Sequence, residues 1–168
     1  MAVLDPYLSN INRLKENLVS EAKEAIRLHS EEILNLIKET QLGKGLNSQG
    51  QRLSFQHGKQ TGNGIYTKAT EAIAHNAFAV ALGQQPRKPK RAGSPYNFEW
   101  GGSTFDTMGI DLATDGLIHI FTADGKQMFL EEIYGEIFSM TDKNNDYVNR
   151  ELILPHLQKY ILDNFWRT

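Results

Sequence analysis

From Leu8 to about Thr40, the apolar residues Leu8, Ile11, Leu14, Leu18, Ala22, Ala25, Ile33 and Leu36 recur at helical spacing. That spacing predicts one amphipathic helix over 8–40, with Glu, Lys and Arg on its other side. The step averages about 3.6 rather than 3.5 residues, which favours packing on a sheet or a neighbouring helix over a coiled coil. Ser9 or Asn10 can cap the start, just after Pro6. At ~1.5 Å per residue the helix is roughly 45–50 Å long, more than is usual in a small domain. His29 lies on the apolar stripe and reads as a core-edge histidine with one ring nitrogen bonded.

Gly43 and Gly45 offer left-handed positions at the helix end. The stretch 43–66 that follows is rich in Gly, Gln, Ser and Asn, and is broken only by the apolar patch Leu53 to Phe55. A connection of that length reads as an extended arm or as a loop ordered by a partner. Helical spacing returns over 67–83, with Thr67 as cap, Ile73, Ala77, Phe78, Ala81 and Leu82 as the apolar face, and Gly83 as the stop. Over 84–95, Pro86 and Pro89 keep the chain out of helix. Strand character follows over 96–122. Phe98–Trp100 and Thr104–Leu112 are separated by a Gly101-Gly102 kink, and the Thr114-Asp115-Gly116 turn leads to the clearest strand, Leu117–Phe121. C-terminal helices are expected over 128–165. The first is Phe129–Met140, with Gly135 inside it; the second is capped by Thr141 or Asp142 and kinked at Pro155. The order predicts an α+β single domain over 1–168, a long N-terminal helix packed with further helices against a small antiparallel sheet.

Charge adds an asymmetry. The net charge is only -2, but Arg87, Lys88, Lys90 and Arg91 form a purely basic arm. The span Asp124 to Glu151 instead holds seven acids against Lys126, Lys143 and Arg150. Opposite patches on one small protein suit head-to-tail self-association or docking between unlike partners; two independently solvated faces are the alternative. The arm can also bind nucleic acid through phosphate contacts, although it has no interleaved aromatic residues.

Little else points to chemistry. With no cysteine, disulfides, thiolate catalysis and cysteine-ligated zinc are excluded. MAVLDPYLSN does not have the form of a signal peptide, and no apolar run reaches the ~18 residues of a membrane span, so a soluble, non-secreted protein without membrane contact is expected. Asp142-Lys143-Asn144-Asn145-Asp146 imitates the start of a calcium loop, but Tyr147 stands where glycine is needed and Ile153 where a bidentate glutamate is needed. It reads as a helix N-terminus. His29, His57, His75, His119 and His156 lack ligand spacing, and no nucleophile elbow or phosphate loop is present. Glu131-Glu132 could be an acid/base pair, but adjacent residues on a helix point apart. No enzyme, metal or cofactor is expected.

One ordered set of segments resembles a known family. Lys90-Arg91-Ala92-Gly93-Ser94-Pro95-Tyr96, the turn Gly101-Gly102-Ser103-Thr104-Phe105 and the hairpin around Asp115-Gly116 are similar to those of small virion proteins of tailed phages and prophages, notably of Bacteroidetes hosts. Gly45 to Gly50, Tyr66-Thr67-Lys68-Ala69-Thr70, Tyr134-Gly135 and Met140-Thr141-Asp142 fit the same spacing. The family commonly has Asp-Thr-Gly-Asp-Phe at the turn, so the acids are missing here. A more distant resemblance is to tail-completion or head-to-tail joining proteins. It implies a structural component at the neck of a virion assembled in the host cytoplasm, as a homo-oligomeric ring of six or twelve copies. Its partners would be portal, neck or tail proteins, with DNA contact possible in the lumen. Arg87, Lys88, Lys90, Arg91, Tyr96, Phe98, Trp100, Leu53 and Phe55 are the candidate interface residues. The alternative is a DNA-binding accessory or regulatory protein that uses the basic arm.

Overall fold

The computed structural model describes residues 5–53, 76–77, 80–81, 83, 91–94, 103–112 and 118–166. The long N-terminal helix is present as α1 (Asp5–Leu28). It does not run unbroken to Thr40. His29 leaves helical geometry, with φ -100° and ψ 13°, and α2 (Ser30–Thr40) starts directly after it. Backbone bonds still cross the junction, His29 N to Ala25 O at 3.0 Å and Ile33 N to His29 O at 2.9 Å, so apolar periodicity alone does not reveal the break. His29 is the core-edge residue expected, with Nδ1 3.2 Å from Glu32 Oε2.

After α2 the chain turns tightly through Leu42–Lys44 and closes at Gly45, whose φ of 70° and ψ of 41° are left-handed. The extended loop expected from residue 43 begins instead as a compact turn. Asn47 Oδ1 accepts from the amides of Gln49 and Gln51, and Leu46 bridges to Arg52. Such an Asn-closed turn replaces a ladder with local bonds. It delivers Leu53 into the core at 1% exposure, so this residue of the expected interface is an interior one. Residues 54–66 lie outside the described residues. So do most of the expected helix 67–83, of which Asn76, Ala77, Val80 and Ala81 are helical and Gly83 has a left-handed φ of 72°.

Thr104 to Asp106, read as the start of a strand, belong to one helical turn, Ser103–Asp106. Strand β1 (Met108–Leu112) then pairs antiparallel with β2 (Ile118–Thr122), in a register that sets Gly109 against Phe121 and Ile110 against Ile120. The next helix, α3 (Gln127–Tyr134), stops at Gly135 rather than running through it, because Gly135 takes φ 76° and ψ -160°. An extended link leads to α4 (Asp142–Tyr147), capped by Thr141, whose side chain accepts from Asn144 N. The helical path continues as a π-helical stretch, Val148–Ile153, then α5 (Leu154–Ile161), then a second π-helical stretch, Leu162–Trp166. Pro155 cannot donate to a carbonyl one turn back. Near the position of the expected kink the structure has a widened, π-helical turn, just before Pro155.

Helix α1 lies antiparallel to this C-terminal helix. Arg13 stacks over Phe165, Asn17 Nδ2 donates to Tyr160 Oη at 3.1 Å, and Glu21 Oε2 lies 3.3 Å from His156 Nε2. As positions advance on α1 they recede on the partner. Between these helices and the hairpin the core gathers Ile26, Ile33, Ile37, Leu42, Leu53, Phe105, Met108, Ile120, Ile137, Phe138, Val148 and Leu152. The architecture is α+β, mostly helical with a two-stranded antiparallel sheet.

Candidate functional site: an acidic cleft on a polar frame

Two buried polar groups fix the backbone around the main cleft. The first is Gln41, at the C-terminal boundary of α2 and fully buried. Its Nε2 donates to Ser139 O at 2.8 Å and Ile137 O at 3.3 Å. Its Oε1 accepts from Thr141 N at 3.1 Å, with Asn144 Nδ2 at 3.5 Å. Ser48 adds two bonds to Glu136 O, from its amide and its hydroxyl. The link between α3 and α4 is not helical, so its buried polar groups must find partners elsewhere. Gln41 and Ser48 supply them.

The second group is Asp124, whose side chain is 7% exposed. Burial pushes its carboxyl pKa up, but the Lys126 amide, the Thr104 hydroxyl and the Lys126 ammonium outweigh that and hold it below the ordinary value. The bonds are Thr104 Oγ1 to Oδ2 at 3.0 Å, Thr122 Oγ1 to Oδ1 at 3.2 Å and Lys126 N to Oδ1 at 3.0 Å. Asp124 thus ties the end of β2 to the Ser103–Asp106 turn and to the start of α3.

Between these anchors lies a cleft of about 670 Å³. Its apolar surface comes from Ile26 of α1, Ile118 and Ile120 of β2, Phe138 and Met140 of the link, and Ile153. Its polar lining is Gln127 and Glu131 of α3, Glu136, Ser139, His119, Asn145 and Asn149. Among the described residues no Lys or Arg lines it. Glu131 is held above the ordinary glutamate range, by partial burial first and by the Glu136 carboxylate second, against a lowering hydrogen bond from Gln127. Glu132 is exposed and does not line the cleft. The adjacent acids therefore part company, and the carboxylate that joins Glu131 is Glu136, beyond the helix end.

Of the sequence-derived interface residues, Leu53 is interior and Arg91 is exposed in a turn, where Ser94 N donates to Arg91 O at 2.9 Å. Arg87, Lys88, Lys90, Tyr96, Phe98, Trp100 and Phe55 lie outside the described residues. Asp142 to Tyr147 form the helix start expected in place of a calcium loop. No cluster of three metal-ligating side chains occurs among the described residues, and none of their helices is long and apolar enough to cross a membrane. No family model, curated protein or solved structure matches this chain. The reading of the site therefore rests on its geometry and on the sequence.

Proposed function

We propose that the chain is a non-enzymatic structural subunit that assembles with copies of itself in a tailed-phage particle, at the head-to-tail junction or tail top. The observation that carries self-assembly is the unfinished apolar face of α1. At ~3.6 residues per turn, Leu8, Val19 and Ile26 fall on one line of the helix. Ile26 is 5% exposed, whereas Val19 is 59% and Leu8 56% exposed, with Ile11 beside them at 59%. The stripe that packs into the core at one end of α1 therefore continues into solvent at the other. Leu8 and Ile11 form an exposed apolar pair, with Val19 beyond Lys15 on the same side, and clustered exposed apolar side chains mark contact with another protein. Placement in a phage particle is supported by the sequence resemblance. A closed ring suits such a face, since each copy is held through two contacts and weak ones reinforce each other.

Native mass spectrometry of the purified chain, with electron microscopy of particles, tests this. A closed oligomer is expected, dissociated by Leu8→Ser with Ile11→Ser. A strictly monomeric chain that is absent from particles refutes the proposal. Duplex DNA binding that falls steeply with salt, and vanishes when Arg87, Lys88, Lys90 and Arg91 become Ala, would favour an accessory DNA-binding role instead.

A further inference from the structure

We infer that the cleft between α1, β2, α3 and the start of the C-terminal helix receives the basic arm, residues 86–91, of a second copy of this chain. The inference rests on the self-assembly reading and adds to the α1 face a second contact between neighbouring copies.

Two features of the cleft suit this occupant. Its carboxylates, Glu131 and Glu136, stand over an apolar surface made by Ile26, Ile118, Ile120, Phe138, Met140 and Ile153. Lysine and arginine match that combination, because their aliphatic stems cover apolar surface while the charged head stays with the acids. The exposed amides of Asn145 and Asn149 at the rim can bond the backbone of an extended peptide. The volume of about 670 Å³ falls in the usual range for binding clefts. It is open enough to take a few side chains.

Among the described residues no Lys or Arg accompanies the carboxylates in the cleft, and His119 is the one basic ring in its lining. Glu136 Oε1 accepts from Ser139 Oγ at 2.7 Å, a neutral donor. Glu131 is disfavoured in its charged form by burial and by Glu136. A cation entering between them relieves both effects.

The arm is the complementary segment. Arg87, Lys88, Lys90 and Arg91 are four cations in five positions, and Pro86 and Pro89 leave the segment fewer backbone torsions to fix on docking, which lowers the ordering cost. In its own chain Arg91 is exposed and does not line the cleft. Charge complementarity commits the cleft to the arm of a second copy. An arm-to-cleft contact is heterologous, so it propagates from copy to copy and generates a ring when the rotation closes.

The test is complementation between two full-length variants. In the first, Arg87, Lys88, Lys90 and Arg91 become Ala and the cleft is intact. In the second, Glu131→Gln with Glu136→Gln neutralises the cleft and the arm is intact. Each alone is expected to lose higher oligomers by analytical ultracentrifugation. Mixed together in a background that also carries Leu8→Ser and Ile11→Ser, which removes the α1 contact, they should form a heterodimer and nothing larger, because only one arm-to-cleft contact is possible. A fluorescein-labelled peptide of residues 84–93 should bind the arm-neutralised variant at least tenfold more tightly than the same variant carrying Glu131→Gln and Glu136→Gln. Raising the salt should weaken that binding. Asn149→Lys, at an exposed position, should weaken it without touching the interior. Wild-type oligomers from either variant, no heterodimer on mixing, or peptide binding indifferent to Glu131, Glu136 and Asn149 would each overturn the inference. So would a monomeric wild type whose cleft accepts the peptide only after its own arm is neutralised, since the arm would then dock within one chain. Absence of the protein from phage particles would refute the virion placement and leave the complementation result standing.

Discussion

Replacing Gln41 with Met keeps the length and approximate shape of the side chain while removing its amide. Ile137 O and Ser139 O then lose their Gln41 donors, and Thr141 N its Gln41 acceptor, at a side chain that is fully buried. Each stranded buried group costs about 1–3 kcal/mol. Three at about 1.3 kcal/mol each, in the lower part of that range, with the marginal 3.5 Å contact to Asn144 Nδ2 ignored, give a loss of about 4 kcal/mol. That is a large part of the roughly 5–15 kcal/mol by which domains are stable. With a urea m-value of about 2 kcal/mol/M, the unfolding midpoint falls by about 2 M with no change in slope. Equilibrium urea denaturation followed by circular dichroism measures it. Ser48→Ala serves as a control: its hydroxyl bonds the same link at an exposed position, and its loss should cost less than about 1 kcal/mol. A Gln41→Met loss no larger than that of Ser48→Ala would refute the reasoning, because it would mean that water reaches the link as easily as Gln41 does.

Two glycines should respond differently to the same methyl group. A Cβ on Gly43 meets the Lys38 carbonyl oxygen at 2.5 Å, which is backbone, so Gly43→Ala should cost about 1–3 kcal/mol in thermal unfolding. A Cβ on Gly109 meets the Phe121 ring at 2.5 Å, but that ring is 38% exposed and can swing aside, so Gly109→Ala should cost no more than about 1 kcal/mol. Leu53→Ala should lose about 2–5 kcal/mol as a core truncation, and a surface-sized loss of under 1 kcal/mol would restore it to the interface. Asp124 sets an acid limit. Its folded pKa is below the unfolded value, so its contribution is fully present above the ordinary aspartate range near ~3.9 and is lost as pH falls through the depressed value. Stability measured from pH 6 downward should therefore decline less steeply in Asp124→Asn than in the wild type, and parallel curves would refute that assignment.

The elements with local causes were legible in the sequence. The apolar steps of α1, the alternation of β1 and β2, and the Thr141 cap with its bond from Asn144 N each depend on residues a few positions apart. What escaped depends on distance. Gln41 is a polar residue at a helix end and reads as surface until the chain returns nearly a hundred positions later with carbonyls that need a donor. Thr104 sits in a strand-like run, yet its hydroxyl bonds Asp124 and its backbone forms a helical turn. Leu53, in a glycine-rich stretch, has its amide bonded to Gly45 O at 2.8 Å and its side chain in the core. Half of the cleft's acidic pair was visible as Glu131; the partner, Glu136, becomes its neighbour only because Gly135 ends the helix and turns the chain.

The pairing of α1 with the C-terminal helix has a consequence for synthesis. Asn17 meets Tyr160 across 143 positions, and Glu21 meets His156 across 135. On the ribosome α1 emerges before its partner helix and waits, its apolar side uncovered, until nearly all of these residues have followed. Contacts of such sequence separation form slowly. During that interval the uncovered apolar side can meet other exposed apolar surface, the circumstance in which association competes with folding.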